Sequence, residues 1–228
     1  MTDWSAADLT IVWLSLKVAL VGTIASLPFA IGAALLLARG RFWGRTLLDV
    51  LVHLPLVLPP VVTGYFLLLV FGRRGAIGAF LDQAFGFTFA FRWTGAALAA
   101  AVMGFPLMVR AIRLAVEGVD RHVEEAAATL GANPWWTLVT ITLPLALPGI
   151  LSGMVVAFAK ALGEFGATIT FVSNIPGETQ TLALAIYSLT QTPGGDAHAM
   201  RLVWLSLGVS VAALLVSELL ARRIETRR

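Results

Sequence analysis

Charged residues in this chain fall into clusters, and long stretches without any charge run between them. Residues 18–38 make one such stretch of twenty-one, enough as a helix to cross a hydrocarbon core of about 30 Å. Lys17 lies just outside it, where its long stem can snorkel to the interface. Residues 50–72 make the second, interrupted by Pro55, Pro59 and Pro60, each of which removes a helix hydrogen bond and predicts a kink. Residues 73–92, with Gly75, Gly78 and Gly86, read as a loop. The third apolar run covers 93–109 and is extended by Arg110 and Arg113 at its end. A fourth starts at 145–159 and continues through Lys160 and Glu164 to about Phe171; a fifth begins at 202–217 and ends at Arg222 and Arg223. The uncharged stretch 179–192 is too short to cross with ease, and it is bounded by Pro176-Gly177 and Pro193-Gly194-Gly195. It fits a re-entrant or interfacial helix. The pattern predicts an all-α, polytopic membrane protein, one domain over 1–228. Its five transmembrane helices fall at about 10–38, 47–71, 93–115, 145–171 and 201–221, with six spans as the alternative.

Between the third and fourth spans, the loop 117–143 behaves differently. Val123, Ala126, Ala127 and Leu130 recur at i, i+3, i+4 and i+7 and share one helical face. Asp120 can cap the start of that helix, and Gly131 can stop it. Asn133-Pro134 then reads as an N-cap followed by a first helical position. The expected structure is helix, sharp turn, helix: an angular knob suited to docking on another protein.

Composition sharpens this picture. Only 13% of the 228 residues are charged and 58% are hydrophobic, against about 25% charged in a soluble domain. The net charge of +3 is explained by arginines at span ends, so no nucleic-acid partner is implied. The first nine residues carry Asp3 and Asp8 and no basic residue, unlike a secretory signal peptide. With five spans and the N-terminus outside, the cytoplasmic segments hold ten arginines: Arg39, Arg41, Arg45, Arg110, Arg113, Arg121, Arg222, Arg223, Arg227 and Arg228. The outer segments hold four, Arg73, Arg74, Arg92 and Arg201. The positive-inside rule then places the 117–143 loop and the C-terminus in the cytoplasm, a partition that a sixth span at 179–192 would spoil.

The order Glu125-Ala126-Ala127, three residues, Gly131, nine residues, Ile141-Thr142-Leu143-Pro144 resembles the cytoplasmic signature loop of binding-protein-dependent ABC importer permeases. Four further segments look like the molybdate importer permeases of that class, and the resemblance runs nearly from end to end. They are the stretch from His53 through Pro59-Pro60 to Val62, Gly163-Glu164-Phe165-Gly166-Ala167-Thr168, the stretch from Phe171 to Thr179, and Gln191-Thr192-Pro193-Gly194-Gly195. It implies the type I ABC importer permease fold with a cytoplasmic coupling helix. It implies a multi-pass protein of the bacterial inner membrane that works as a homodimer with two cytoplasmic ABC ATPase subunits and a periplasmic oxyanion-binding protein. On this resemblance Asp120, Glu124, Glu125, Ala126, Ala127, Gly131 and Ala132 form the ATPase-coupling site. Some relatives carry an additional N-terminal span; this chain begins directly before its first span, which favours five. Sulfate and tungstate permeases are close cousins, so the oxyanion rests on resemblance alone.

The residues themselves limit the chemistry. The lysines are Lys17 and Lys160, both flanked by apolar residues, so no P-loop lysine is available to reach a nucleotide. The permease is not expected to be an enzyme, and the energy must come from a partner. No cofactor is expected. Cysteine is absent, and His53, His122 and His198 lie in separate segments without metal-ligand spacing. Lys160 and Glu164 stand four residues apart on one helical face. They read either as a mutually neutralising pair or as part of an anion path that Thr63, Thr168, Thr170, Ser173 and Asn174 would line with hydroxyl and amide groups. Hydroxyls at helix interfaces are equally a packing device. Arg73 and Arg74 lie in an outer loop that Arg92 closes and whose only acid is Asp82. They read either as anchors to membrane lipid or as a rim that docks an acidic binding protein. An ATP-independent secondary transporter or channel is the competing class, and it would leave the signature loop without a task.

Overall fold

The computed structural model describes residues 6–225, with side chains described as far as Ala213 and at Leu215. Asp3, Arg227 and Arg228 of the charge pattern lie outside the described residues, as do the side chains of Arg222 and Arg223. Helix α1 (Ala6–Arg39) has thirty-four residues and so runs about 51 Å, well beyond a hydrocarbon core. The central helix is α5 (Trp93–Glu117), whose buried positions include Gly95, Ala96, Ala99, Ala100 and Gly104 toward one end and Met108, Val109, Ile112 and Val116 toward the other. Small residues let neighbouring backbones come close, which matters where lipid removes the hydrophobic drive between helices. A methyl group added at Gly104 would stand 3.2 Å from Ala157 Cβ. Leu20, Ile24, Phe29 and Leu36 of α1 remain exposed, as expected of a surface that meets acyl chains.

The second expected span, 47–71, is not one kinked helix. It is α2 (Arg45–Val57) and α3 (Pro60–Phe71), bent by 115°. Two successive residues precede prolines, and each is forced toward extended backbone. Leu58 has φ −70° and ψ 143°, and Pro59 has φ −54° and ψ 134°. At thirteen and twelve residues, each limb reaches only about 20 Å. The loop expected at 73–92 contains a helix, α4 (Ala76–Phe85), closed by Gly86 at φ 62°.

Past α5 come α6 (Arg121–Thr129) and α7 (Pro134–Thr137), a π-helical turn (Leu138–Thr142), and α8 (Leu143–Leu162). The last three run on as one apolar rod, Pro134–Leu162. Within it Leu143 N–H reaches back to Leu138 O, just before Pro144, whose ring carries no donor. The fourth expected span, 145–171, therefore starts earlier and breaks sooner. Its continuation past residue 163 is a separate helix, α9 (Gly166–Val172). The stretch 179–192 holds only α10 (Leu182–Thr190), nine residues, too short to cross. The last helix is α11 (Asp196–Glu225), thirty residues. Among the described residues, three segments are long and apolar enough to cross a membrane, or four with the bent α2–α3 pair.

The two ends of α1 meet different partners. Near its start Asp8 is buried against His198 of α11 at 2.8 Å, and Ser15 Oγ accepts the Leu182 N–H of α10. Its last residue, Arg39, reaches the α5–α6 junction. Lys17 rests on the Trp93 ring at the start of α5, 3.6 Å from the centroid, a cation–π seat in place of free snorkelling.

Candidate functional site

The local code of the signature loop is realised bond by bond. Asp120 accepts the His122 N–H at 2.9 Å. Helix α6 ends in a Schellman turn: Gly131 N–H bonds Ala128 O and Ala132 N–H bonds Ala127 O, both at 3.0 Å, with Gly131 at φ 89°. Nothing crowds Gly131, so its positive φ is what calls for glycine there. Asn133 caps the next helix by accepting the Trp136 N–H at 2.7 Å. No residue of α6 is buried, and its apolar face is open: Val123 is 44% exposed and Leu130 88%. Ala126, Ala127 and Ala132 contribute only small side chains to this surface.

The two adjacent glutamates point differently. Glu125 is 71% exposed, and His122 Nδ1 lies 3.6 Å from its Oε2. Glu124 turns inward and is 23% exposed. Its Oε1 accepts from Arg39 Nη2 at 3.2 Å and from Thr142 Oγ1 at 2.7 Å. Arg39 Nη2 also donates to Val116 O and Val119 O, so positive charge sits on the carbonyls at the C-terminus of α5. One guanidinium and one carboxylate thus tie α6 to the ends of α1 and α5 and to the π turn that leads into α8. Arg39 and Thr142 were not among the sequence candidates. They lie 85 and 18 residues from Glu124, and no periodicity links such distances.

The seven proposed path residues divide. Glu164 is buried, with Lys160 Nζ 2.7 Å from Oε2 and the Ala167 N–H 3.0 Å from Oε1. The carboxylate neutralises the lysine and caps the first turn of α9, the geometry of the neutralising-pair reading. Thr63 and Thr168 are both buried where α3 packs on α9, and Thr63 Oγ1 finds no partner among the described residues. Thr170 turns back to Gly166 O of its own helix at 2.9 Å. Asn174 Nδ2 bonds Ser188 Oγ, while its Oδ1 is buried and unpartnered among the described residues. Ser173 is exposed at φ 64° and ψ −163°, a conformation otherwise kept for glycine and costing about 1–3 kcal/mol. Thr179 holds this bend, donating to Ser173 O and accepting from Ile175 N–H.

In the 73–92 segment Arg73 is matched by Asp82 at 3.1 Å, although it is 79% exposed. Arg92 lies 6.0 Å from the Phe87 ring centroid. Arg74 is exposed, with no side-chain partner among the described residues.

Among the described residues the chain is all-helical, with long apolar helices and an uncovered helix–turn–helix at one end, the build of a polytopic membrane protein. Residues 26–228 match the family described as "Binding-protein-dependent transport system inner membrane component", and the chain belongs to it. It is 61% identical over 220 residues to "Molybdenum transport system permease protein ModB" of Escherichia coli (strain K12), covering 96% of this chain and 94% of that protein. It is 54% identical over 220 residues to the protein of the same description from Haemophilus influenzae, covering 96% of each. Among solved structures, a bacterial ABC transporter involved in the import of the acidic polysaccharide alginate superposes with a TM-score of 0.76. The sequence identity is 18%, over 97% of this chain and 81% of that one. The fold is that of the type I ABC importer permeases.

Proposed function

We propose that this chain is the transmembrane permease subunit of an ATP-driven importer that carries molybdate across the inner membrane by alternating access. The observation that carries this reading is the 61% identity over 96% of the chain to a molybdenum transport permease, a likeness that spans the signature loop and the helices alike. The subunit works as a homodimer, crossing the membrane five times, by the three long apolar segments, the bent α2–α3 pair and α11 as the fifth, with its N-terminus outside and its C-terminus in the cytoplasm. It supplies the passage and not the hydrolysis, which belongs to two cytoplasmic ATPase subunits, while a periplasmic oxyanion-binding protein delivers the cargo.

In this reading Val123, Leu130 and the flanking small residues of α6 enter a cleft of the ATPase, and Glu125 meets it from the exposed side. The Schellman turn keeps the knob rigid, so displacement is passed on and not absorbed. The Arg39–Glu124–Thr142 bonds carry it to α1, α5 and α8 together. Thr63, Thr168, Ser173 and Asn174 offer hydroxyl and amide groups that replace part of an oxyanion's water shell, while Glu164 keeps Lys160 from trapping the anion. Thr170, bonded within its own helix, plays a smaller part, and Arg74 is the outer cation most available to the binding protein. An ATP-independent channel would leave the open face of α6 without use.

The test is uptake by proteoliposomes containing the assembled complex. Molybdate should accumulate only with ATP on the ATPase side and with binding protein outside, and tungstate should compete better than sulfate. Accumulation without the ATPase would overturn the reading; preferential displacement by sulfate would reassign the cargo.

A further inference from the structure

A cavity of about 360 Å³ opens where the α1–α2 turn meets the α5–α6 junction, and its lining includes Arg39, Arg41, Arg45, Arg121 and Glu117. Four guanidinium groups meet one carboxylate there, and that carboxylate is already taken by Arg113 at 2.9 Å. Two of the arginines are structural. Arg45 donates from Nε and Nη2 to Leu37 O, at 3.0 and 2.6 Å, near the end of α1. Arg39 holds the end of α5 and Glu124. The other two, Arg41 and Arg121, are exposed and have no partner among the described residues. The Arg39 Nε–H is buried and likewise lacks an acceptor among them. The cavity lining therefore holds spare donors and excess positive charge, which is the chemistry that holds a phosphate oxyanion.

Its position indicates the source of that phosphate. Its walls include the last turns of α1 and α5, both long and apolar enough to cross a membrane, and arginines at the ends of such helices meet the lipid headgroups. Beside it stand Phe42 and Trp43, 43% and 103% exposed, the kind of aromatic residues that seat at the membrane surface. The apolar positions Val123 and Leu130 that α6 offers to a protein partner are not part of the lining. We infer that this cavity binds the phosphate of an anionic membrane lipid, which bridges Arg41 on the α1–α2 turn and Arg121 at the first residue of α6. Arg39 and Arg45 form the back of the site. A headgroup seated there braces the start of the coupling helix against the membrane, beside the Arg39–Glu124 pair. The inference does not depend on which ion is carried.

The test uses the assembled complex in nanodiscs, either of phosphatidylcholine alone or of phosphatidylcholine mixed with phosphatidylglycerol, without substrate or ATP. Retained phosphatidylglycerol is counted by native mass spectrometry, and unfolding is followed by a thermal melt. The parent should retain phosphatidylglycerol and melt higher in the mixed discs. The Arg41→Gln, Arg121→Gln double variant should retain it on the order of twentyfold less well, since each surface arginine contributes about 1 kcal/mol toward an anionic lipid. An Arg73→Gln, Arg74→Gln control should retain it like the parent. If the double variant fails to assemble, Arg41→Gln alone, on an exposed turn, should still show a drop of about fivefold. Equal retention by parent and variant would overturn the inference, and so would an equal loss in the control. Inorganic phosphate that reproduces the melting shift in phosphatidylcholine discs would overturn the lipid assignment. Because retention is read without transport, this result stands or falls apart from the uptake assay.

Discussion

Glu124 and Glu125 are neighbours in sequence and the same residue type, yet their surroundings assign them opposite tasks. Truncating Glu124 leaves the Arg39 guanidinium and the Thr142 hydroxyl short of an acceptor in a half-buried site, a loss of about 1–3 kcal/mol. Glu124→Ala should therefore lower the melting temperature of the permease by itself, before any ATPase is added. Glu125→Ala, at a position 71% exposed, should leave that melt unchanged and lower ATP-dependent uptake by the complex. Equal melts for the two variants would mean that the inward bonds of Glu124 hold nothing. The caps at Asp120 and Asn133 and the stop at Gly131 were legible in the sequence, because each is settled within four residues of chain. The inward turn of Glu124 was not, because its partner Arg39 comes from another helix.

At the scale of elements, prolines mark where helices fail, but the size of the failure is set by neighbours. Pro55 is accommodated inside α2, Pro106 inside α5 and Pro148 inside α8, while Pro59-Pro60 turns the chain by 115°. The pair acts differently because it places two pre-proline residues in succession. The bend lays α3 against α9, where Gly64 meets the backbone of Ala167. A side chain at Gly64 would put its Cβ 2.8 Å from Ala167 Cα. Backbone cannot give way as a flexible side chain can, so Gly64→Leu should destabilise the permease by about 1–3 kcal/mol. It should also lower uptake, since Thr63 and Thr168 lie in the same seam. A purified variant with the parent's melting temperature and full uptake would show that α3 and α9 do not need this contact. The break after Leu162 was illegible in the sequence, because Gly163 and Gly166 permit it but only the Glu164 cap on Ala167 and the packing against α3 require it.

At the scale of the whole molecule, α1 acts as a ruler. Asp8 near its start pairs with His198 of α11, and Arg39 at its end pairs with Glu124 of α6. Some thirty residues of continuous helix, about 45 Å, lie between these contacts. The start of α11 and the coupling helix therefore belong to opposite ends of the protein. A reporter active only in the cytoplasm should be silent when fused after Asp196 and active when fused after Arg228. The reverse pattern would mean that the arginine partition gives the wrong orientation.

The sequence alone determined whatever depends on local backbone chemistry and on transfer from water to lipid. That covers the apolar runs, the caps and turn of the signature loop, and the shortness of the 179–192 helix. These follow from spacing and composition over a few turns of chain, whereas the class of transporter came from the resemblance of the signature loop to that of known importer permeases. Tertiary structure decided what depends on which helices meet. It set the 115° bend of α2 on α3, the separation of α9 from α8, the inward and outward glutamates, and the match of Arg73 with Asp82. It also gathered Arg39, Arg41, Arg45 and Arg121 around one cavity. The physical reason is that charges and close-packed glycines act through distances in space, and the residues that come together here are up to 190 positions apart in the chain.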